Sequence, residues 1–213
     1  MFVQRLVTGP YQTNCYLLGD EAKQSGWIVD PGNDAELIIS EIERWGVEPV
    51  AMLFTHTHWD HIAAAGPLKV RYPHLEVLVT EEDAPFLDWE MVKSVCFDRR
   101  FLSLYKEDLK LLPKPTGYLV DGQLLEDSGL VVIKTPGHTP GGVCFYHEEG
   151  QFVLTGDTLF AGSVGRTDLG SGDMDLLMAS CRRLLELDDQ VQVLPGHGPT
   201  STIAQERSNP FLI

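Results

Sequence analysis

Thr55-His56-Thr57-His58-Trp59-Asp60-His61 follows directly on the apolar run Val50-Ala51-Met52-Leu53-Phe54. A short apolar run ending in turn residues reads as a buried strand, so the histidine segment is the loop at its end. Three histidines and an aspartate have no packing reason to crowd into six residues. In an extended stretch, residues two apart project to the same side, so His56, His58 and Asp60 converge while His61 leaves at another angle. Imidazole nitrogens with a carboxylate suit borderline divalent ions such as zinc, iron or manganese, with no thiolate required.

The same placement recurs along the chain. His138 lies in Thr135-Pro136-Gly137-His138-Thr139-Pro140-Gly141-Gly142, Asp157 in Leu154-Thr155-Gly156-Asp157-Thr158-Leu159-Phe160, and His197 in Leu194-Pro195-Gly196-His197-Gly198-Pro199-Thr200. Each follows an apolar run, where rigid strands position loops and ligands collect. Taken singly, a Gly-Pro loop with a histidine is an ordinary turn. Together the three supply what the first motif lacks. A catalytic zinc takes about three protein ligands and keeps one position for water. The partition is His56, His58 and His138 on one ion and Asp60, His61 and His197 on a second, with Asp157 bridging. Two such ions about 4 Å apart share a hydroxide. His74 and His147 lie outside any loop motif and read as surface or packing residues.

Working outward, strands are predicted for Phe2–Val7, Trp27–Val29, Val50–Phe54, Leu130–Lys134, Gly141–Tyr146, Gln151–Leu154 and Val191–Leu194. Helical spacing covers Asp34–Trp45 and Met174–Leu187, with Asp34 and Asp173 as N-caps, and a short helix falls around Ile203–Arg207. The expectation is a mixed α/β chain forming one domain over residues 1–213. Pro113-Lys114-Pro115-Thr116-Gly117 is a possible joint between halves, and no close repeat is visible. Phe97, Phe101, Leu104 and Tyr105 fit one helical face, which either packs on the body or forms an apolar lid over the site.

With 213 residues and 43% apolar composition the chain can build its own core. No run reaches the roughly eighteen apolar residues of a membrane span and no signal peptide opens the chain, so the expected location is cytoplasmic. A net charge of −15 disfavours binding to a phosphate backbone, and so nucleic-acid work. Four cysteines, at 15, 96, 144 and 181, show no CxxC pairing and read as buried thiols. One locally basic stretch stands out. Residues 90–117 hold Lys93, Arg99, Arg100, Lys106, Lys110 and Lys114 against Glu90, Asp98, Glu107 and Asp108, for a net +2. It reads as a solvated helical face, or as an anion-binding cover with Phe97 and Phe101 excluding water.

The motif His56-Thr57-His58-Trp59-Asp60-His61, with Asp30-Pro31-Gly32 and the loops of His138, Asp157 and His197, resembles the metallo-β-lactamase fold superfamily over almost the whole chain. The resemblance implies an αββα sandwich of two similar halves, with the metals at one edge between two β-sheets. Within that superfamily, Thr55–His61 and Asp157–Asp168 are similar to glyoxalase II-like thioester hydrolases. This implies hydrolysis of an acyl thioester such as S-lactoylglutathione, or of another activated ester, with Asp60 and Asp157 in catalytic roles. Gly165-Arg166-Thr167-Asp168 also resembles persulfide dioxygenases, which would use one iron on His56, His138 and Asp157. Arg166 is a candidate for a substrate carboxylate, or else an ion-pair partner of Asp168 or Asp173. Sixteen residues follow His197, too few for the helical glutathione-binding domain of full-length glyoxalase II enzymes. The expectation is therefore a short member of the group.

Overall fold

The computed structural model describes residues 1–20, 22 and 24–213. Its contacts divide it into two compact units, Met1–Tyr118 and Leu119–Ile213, so the boundary falls just after the Pro113–Gly117 run. None of the described helices is long and apolar enough to cross a membrane.

Unit 1 is built on a sheet of β1 (Phe2–Thr8), β2 (Thr13–Asp20), β3 (Ser25–Val29), β4 (Glu48–Leu53), β5 (Glu76–Val79) and β6 (Gly117–Tyr118), hydrogen-bonded in that order. β2 runs antiparallel to both β1 and β3, and β3, β4, β5 and β6 are parallel. Parallel strands need crossovers, and helices supply them. These are α1 (Ala35–Trp45), α2 (Trp59–Ile62), α3 (Ala65–Arg71), α4 (Trp89–Val95) and α5 (Arg99–Leu109). α1 buries Ile38 and Ile42, four apart, and ends at Gly46 in the left-handed region. α5 buries Phe101, Leu102 and Leu109. Each such side chain contributes about 1.5–3 kcal/mol of hydrophobic stabilisation.

Two expectations are corrected here. Asp34 sits at the start of α1 in the left-handed region, φ 55°, and makes no side-chain cap; its carboxylate accepts instead from the Gly9 amide at 2.8 Å. Leu104 is not on the packed face of α5: it is 63% exposed, while Phe101 is buried and so covers no site. The strand β2 was not legible, because it is buried on both faces and shows no alternation, and β5 is only four residues long.

Unit 2 holds a sheet ordered β14-β13-β10-β9-β8-β7, from β7 (Leu124–Leu125), β8 (Leu130–Lys134), β9 (Val143–His147), β10 (Phe152–Gly156), β13 (Gln192–Pro195) and β14 (Ser201–Thr202). β11 (Leu159–Phe160) and β12 (Ser163–Val164) form a small hairpin. α6 (Met174–Leu184) is capped by Asp173 as expected, its carboxylate accepting from the Leu176 amide. α6 packs Leu177, Cys181 and Leu184 into a core with Cys144, Val153, Val191 and Val193. α7 (Ile203–Glu206) closes on a capping box of Thr202 and Gln205. The four cysteines are buried thiols, as read from the sequence.

Candidate metal centre

Strand direction decides where the polar residues gather. In unit 1, β3 and β4 are parallel, so the loops after them, with Asp30 and with Thr55–His61, leave the same end of the sheet. β2 runs against β3, which brings Thr13, its first residue, to that end as well. In unit 2, β10 and β13 are parallel with Gly156 opposite Pro195, and the Gly196 amide donates to the Gly156 carbonyl at 2.7 Å. Asp157 and His197 therefore stand side by side. β8 is antiparallel to β9 and β9 to β10, so the loop of His138 leaves from that same end.

The first loop differs from a simple extended stretch. His58 is extended, with φ −65° and ψ 147°, but Asp60 and His61 lie in the single turn of α2. Asp60 is therefore presented by a helical turn and not by strand alternation. The Asp30 loop crosses under this turn. A Cβ on Gly32 would lie 2.1 Å from the Asp60 carbonyl oxygen, and the Pro31 carbonyl accepts from the Ala64 amide at 3.0 Å.

A chain of hydrogen bonds sets the histidine tautomers. The Asp30 carboxylate, 2% exposed, can only accept; it takes the Thr55 amide at 2.8 Å and the Thr55 hydroxyl at 2.6 Å. It also faces His61 Nδ1 at 3.1 Å, so Nδ1 carries the proton. With its own proton committed to Asp30, the Thr55 hydroxyl accepts from His56 Nδ1 at 3.1 Å. In unit 2, His138 Nδ1 donates to the Arg166 carbonyl at 2.6 Å. All three imidazoles thus keep Nε2 as the free-electron-pair nitrogen, the arrangement of histidines that bind a metal. Asp30 adopts φ 50°, a conformation a non-glycine residue holds at some cost, as is common at functional sites.

The spacing of donor atoms fits the same chemistry. Asp157 Oδ2 lies 3.5 Å from His138 Nε2 and 3.6 Å from His197 Nε2. Hydrogen bonds are shorter, about 2.7–3.2 Å. Two atoms each about 2.0–2.2 Å from one tetrahedral ion stand about 3.3–3.6 Å apart. His56, His61 and Asp30 offer ligand atoms within 4.8 Å of one another, and His61 Nε2 lies 3.8 Å from Asp60 Oδ2. The His56 ring stands 4.9 Å from His58 and 4.2 Å from His61, centroid to centroid. Asp60 Oδ2 accepts from the Thr13 hydroxyl at 3.3 Å.

Each unit therefore presents one set: His56, His58, Asp60 and His61 in the first, and His138, Asp157 and His197 in the second. Thr55, Thr13 and the orienting role of Asp30 were missed as site residues. Asp30-Pro31-Gly32 after a strand was the available signal; Thr13 carried none. Gly165 is required by close approach, since a Cβ there would lie 1.8 Å from the Asp157 carbonyl oxygen.

The remaining expectations divide. His74 pairs with Glu48 at 2.9 Å and the Pro49 carbonyl at 3.0 Å, and His147 accepts from the Gly150 amide and stacks on Phe152, so both are structural. Arg166 gives its fork to Asp168 through Nε at 2.6 Å and Nη2 at 2.8 Å, on the surface. In the basic stretch, Lys93 pairs with Glu90 and Lys110 with Glu107.

The description "metallo-beta-lactamase superfamily" matches residues 8–197. Hydroxyacylglutathione hydrolase GloC of Haemophilus influenzae is 36% identical over all of this chain and 98% of its own length. Among solved structures, the BLEG-1 B3 metallo-β-lactamase superposes with a TM-score of 0.84 at 33% identity, covering 99% of each chain. TTHA1623 in a di-iron-bound form superposes at 0.83 with 35% identity, covering 98% of this chain and 100% of its own. A family match over most of the chain and relatives matched end to end at a third identity lead to one conclusion: this chain belongs to the metallo-β-lactamase superfamily of metallo-hydrolases and has its fold.

Proposed function

We propose that the chain is a thioester hydrolase in which the two ligand sets together hold two divalent ions. His56, His58 and His138 would hold one, Asp60, His61 and His197 the other, and Asp157 would bridge. The observation that carries the reading is the uniform presentation of Nε2 by His56, His61 and His138, with Asp157 spaced for shared ligation. Such ions supply an acidified water and positive charge for a developing oxyanion. Asp60, held by the Thr13 hydroxyl, orients the attacking water. The Asp30–Thr55 pair keeps His56 and His61 from turning, so the site needs no reorganisation as charge develops.

The substrate reading leans on the likeness to GloC, named as a hydroxyacylglutathione hydrolase and matched over nearly its full length. Arg166 is engaged with Asp168, so a substrate carboxylate falls to Arg99 or Arg100, which make no ion pair among the described residues. Such exposed contacts are worth about 0.2–1 kcal/mol each. The test is release of thiol from S-lactoylglutathione, before and after chelation, with metal content measured. Loss on chelation, recovery with zinc, manganese or iron, and two ions per chain are expected. Oxygen uptake on a persulfide with one iron per chain would replace this reading by a dioxygenase, and full activity in the metal-free protein would end both. A KM indifferent to ionic strength and to Arg99→Ala would remove the anion contact.

A further inference from the structure

Phe97 is an aromatic residue left 61% exposed in the short corner Cys96–Asp98 between α4 and α5. It is not loose. Its ring stands edge-on against Trp59, with centroids 5.2 Å apart and planes at 87°. Trp59 is 5% exposed, follows His58 directly, and its ring lies 5.7 Å from that imidazole. The exposed Phe97 ring is thus separated from a metal-binding histidine by a single buried indole.

The corner itself is pinned from several sides. The Asp98 carboxylate caps α5 by accepting from the Arg100 and Phe101 amides at 2.8 and 3.0 Å. It also accepts from the Tyr11 hydroxyl at 2.6 Å. Tyr11 lies two residues before Thr13, whose hydroxyl holds Asp60. The Cys96 thiol, 3% exposed, donates to the Asp98 carbonyl at 3.6 Å, and Phe101 packs edge-on against Tyr11 with centroids 5.7 Å apart. Loop and corner are therefore one rigid wall, and an exposed ring held that firmly has already lost the freedom that a ligand contact would otherwise cost.

We infer that Phe97, backed by Trp59, is a specificity-determining residue that takes an apolar acyl group of the thioester substrate. This rests on the proposed thioester reading and adds the acyl class to it. An acyl occupant follows from the chemistry of the contact: the exposed phenyl ring offers an anionic thiol carrier neither a charge nor a hydrogen bond, whereas an apolar acyl chain buries its surface there. Arg99 and Arg100, both exposed in the first turn of α5, are left for the carrier.

The experiment uses metal-loaded protein and one thiol carrier with acetyl, lactoyl, phenylacetyl and octanoyl groups. The wild type is expected to favour the apolar acyl groups in kcat/KM. Phe97→Ala should lose about tenfold on phenylacetyl and octanoyl thioesters and at most about twofold on acetyl and lactoyl, since apolar contacts discriminate by factors of that order. Phe97→Leu should fall between. Leu104→Ala, at an equally exposed apolar position on α5, is the control and should change nothing. Thermal melting of the metal-free variants reports whether the fold is intact. An equal loss across the four substrates, or a loss matched by Leu104→Ala, overturns the inference while leaving the thioester reading in place. Absence of hydrolysis of every thioester overturns both.

Discussion

Replacing Asp30 by asparagine removes one charge and almost no volume, yet it should disable His61 as a metal ligand, because the Asp30 carboxylate faces His61 Nδ1 at 3.1 Å. The carboxylate serves three donors, the Thr55 amide, the Thr55 hydroxyl and His61 Nδ1. In Asp30→Asn, turning the amide oxygen to the Thr55 N–H leaves the NH2 facing Thr55 Oγ1 and His61 Nδ1. The hydroxyl can rotate and accept. His61 can accept only by shifting its proton to Nε2, the nitrogen that must be bare to bind metal. Loss of such a supporting partner costs about 10–100-fold in metal affinity, or about 1.4–2.8 kcal/mol. Asp30→Ala acts differently. It strands the buried Thr55 amide, at about 1–3 kcal/mol, and places alanine at φ 50°, but it leaves His61 free to keep its proton on Nδ1. The asparagine variant should therefore bind metal more weakly while the alanine variant is the less stable of the two. Competition against a chromogenic chelator gives the first quantity, and thermal melting of the metal-free protein the second. Wild-type metal affinity in Asp30→Asn, or weaker binding in Asp30→Ala than in Asp30→Asn, would refute the tautomer reasoning.

Two further outcomes follow from the same geometry. Asp157→Ala should lower thioesterase activity by orders of magnitude, whereas His74→Ala and His147→Ala, which remove residues tied to Glu48 and to the Gly150 turn, should stay within about threefold; an inactive but folded and metal-loaded His74 variant would contradict the assignment. Burial holds the pKa of His147 below its ordinary value near 6.5, and its Nδ1 accepts from the Gly150 amide, so the folded state favours the neutral ring. The unfolded chain then binds the proton more readily, which means this contribution is complete above about pH 6.5 and is lost as pH falls through the lower folded pKa. Melting curves of metal-free wild type and His147→Gln from pH 7.5 to 5 should converge toward acid, and parallel curves would show that the histidine plays no such part.

What the sequence determined by itself was local and dense. Three histidines and an aspartate within six residues, and the Gly-bounded positions of His138, Asp157 and His197, are legible because each sits just past an apolar run, and a strand followed by a loop is decided by neighbours in the chain. The cap at Asp173 was legible for the same reason, and the misread cap at Asp34 shows the limit: its carboxylate was claimed by Gly9, twenty-five residues away. Only the tertiary structure could decide the rest. Parallel pairing of β3 with β4 sets Asp30 and Thr55 against His61, and the start of β2 delivers Thr13 to Asp60 across forty-seven positions. Aspartate and threonine are common everywhere, so composition and period carry no mark of such roles. Burial likewise separates Phe101, sealed in the core, from Phe97, exposed beside Trp59, although both stand in one apolar pattern. Candidate ligands can be read from chain neighbours, but the groups that aim them are chosen by which strands pair, and that is fixed by the burial of whole sheet faces and not by any short segment.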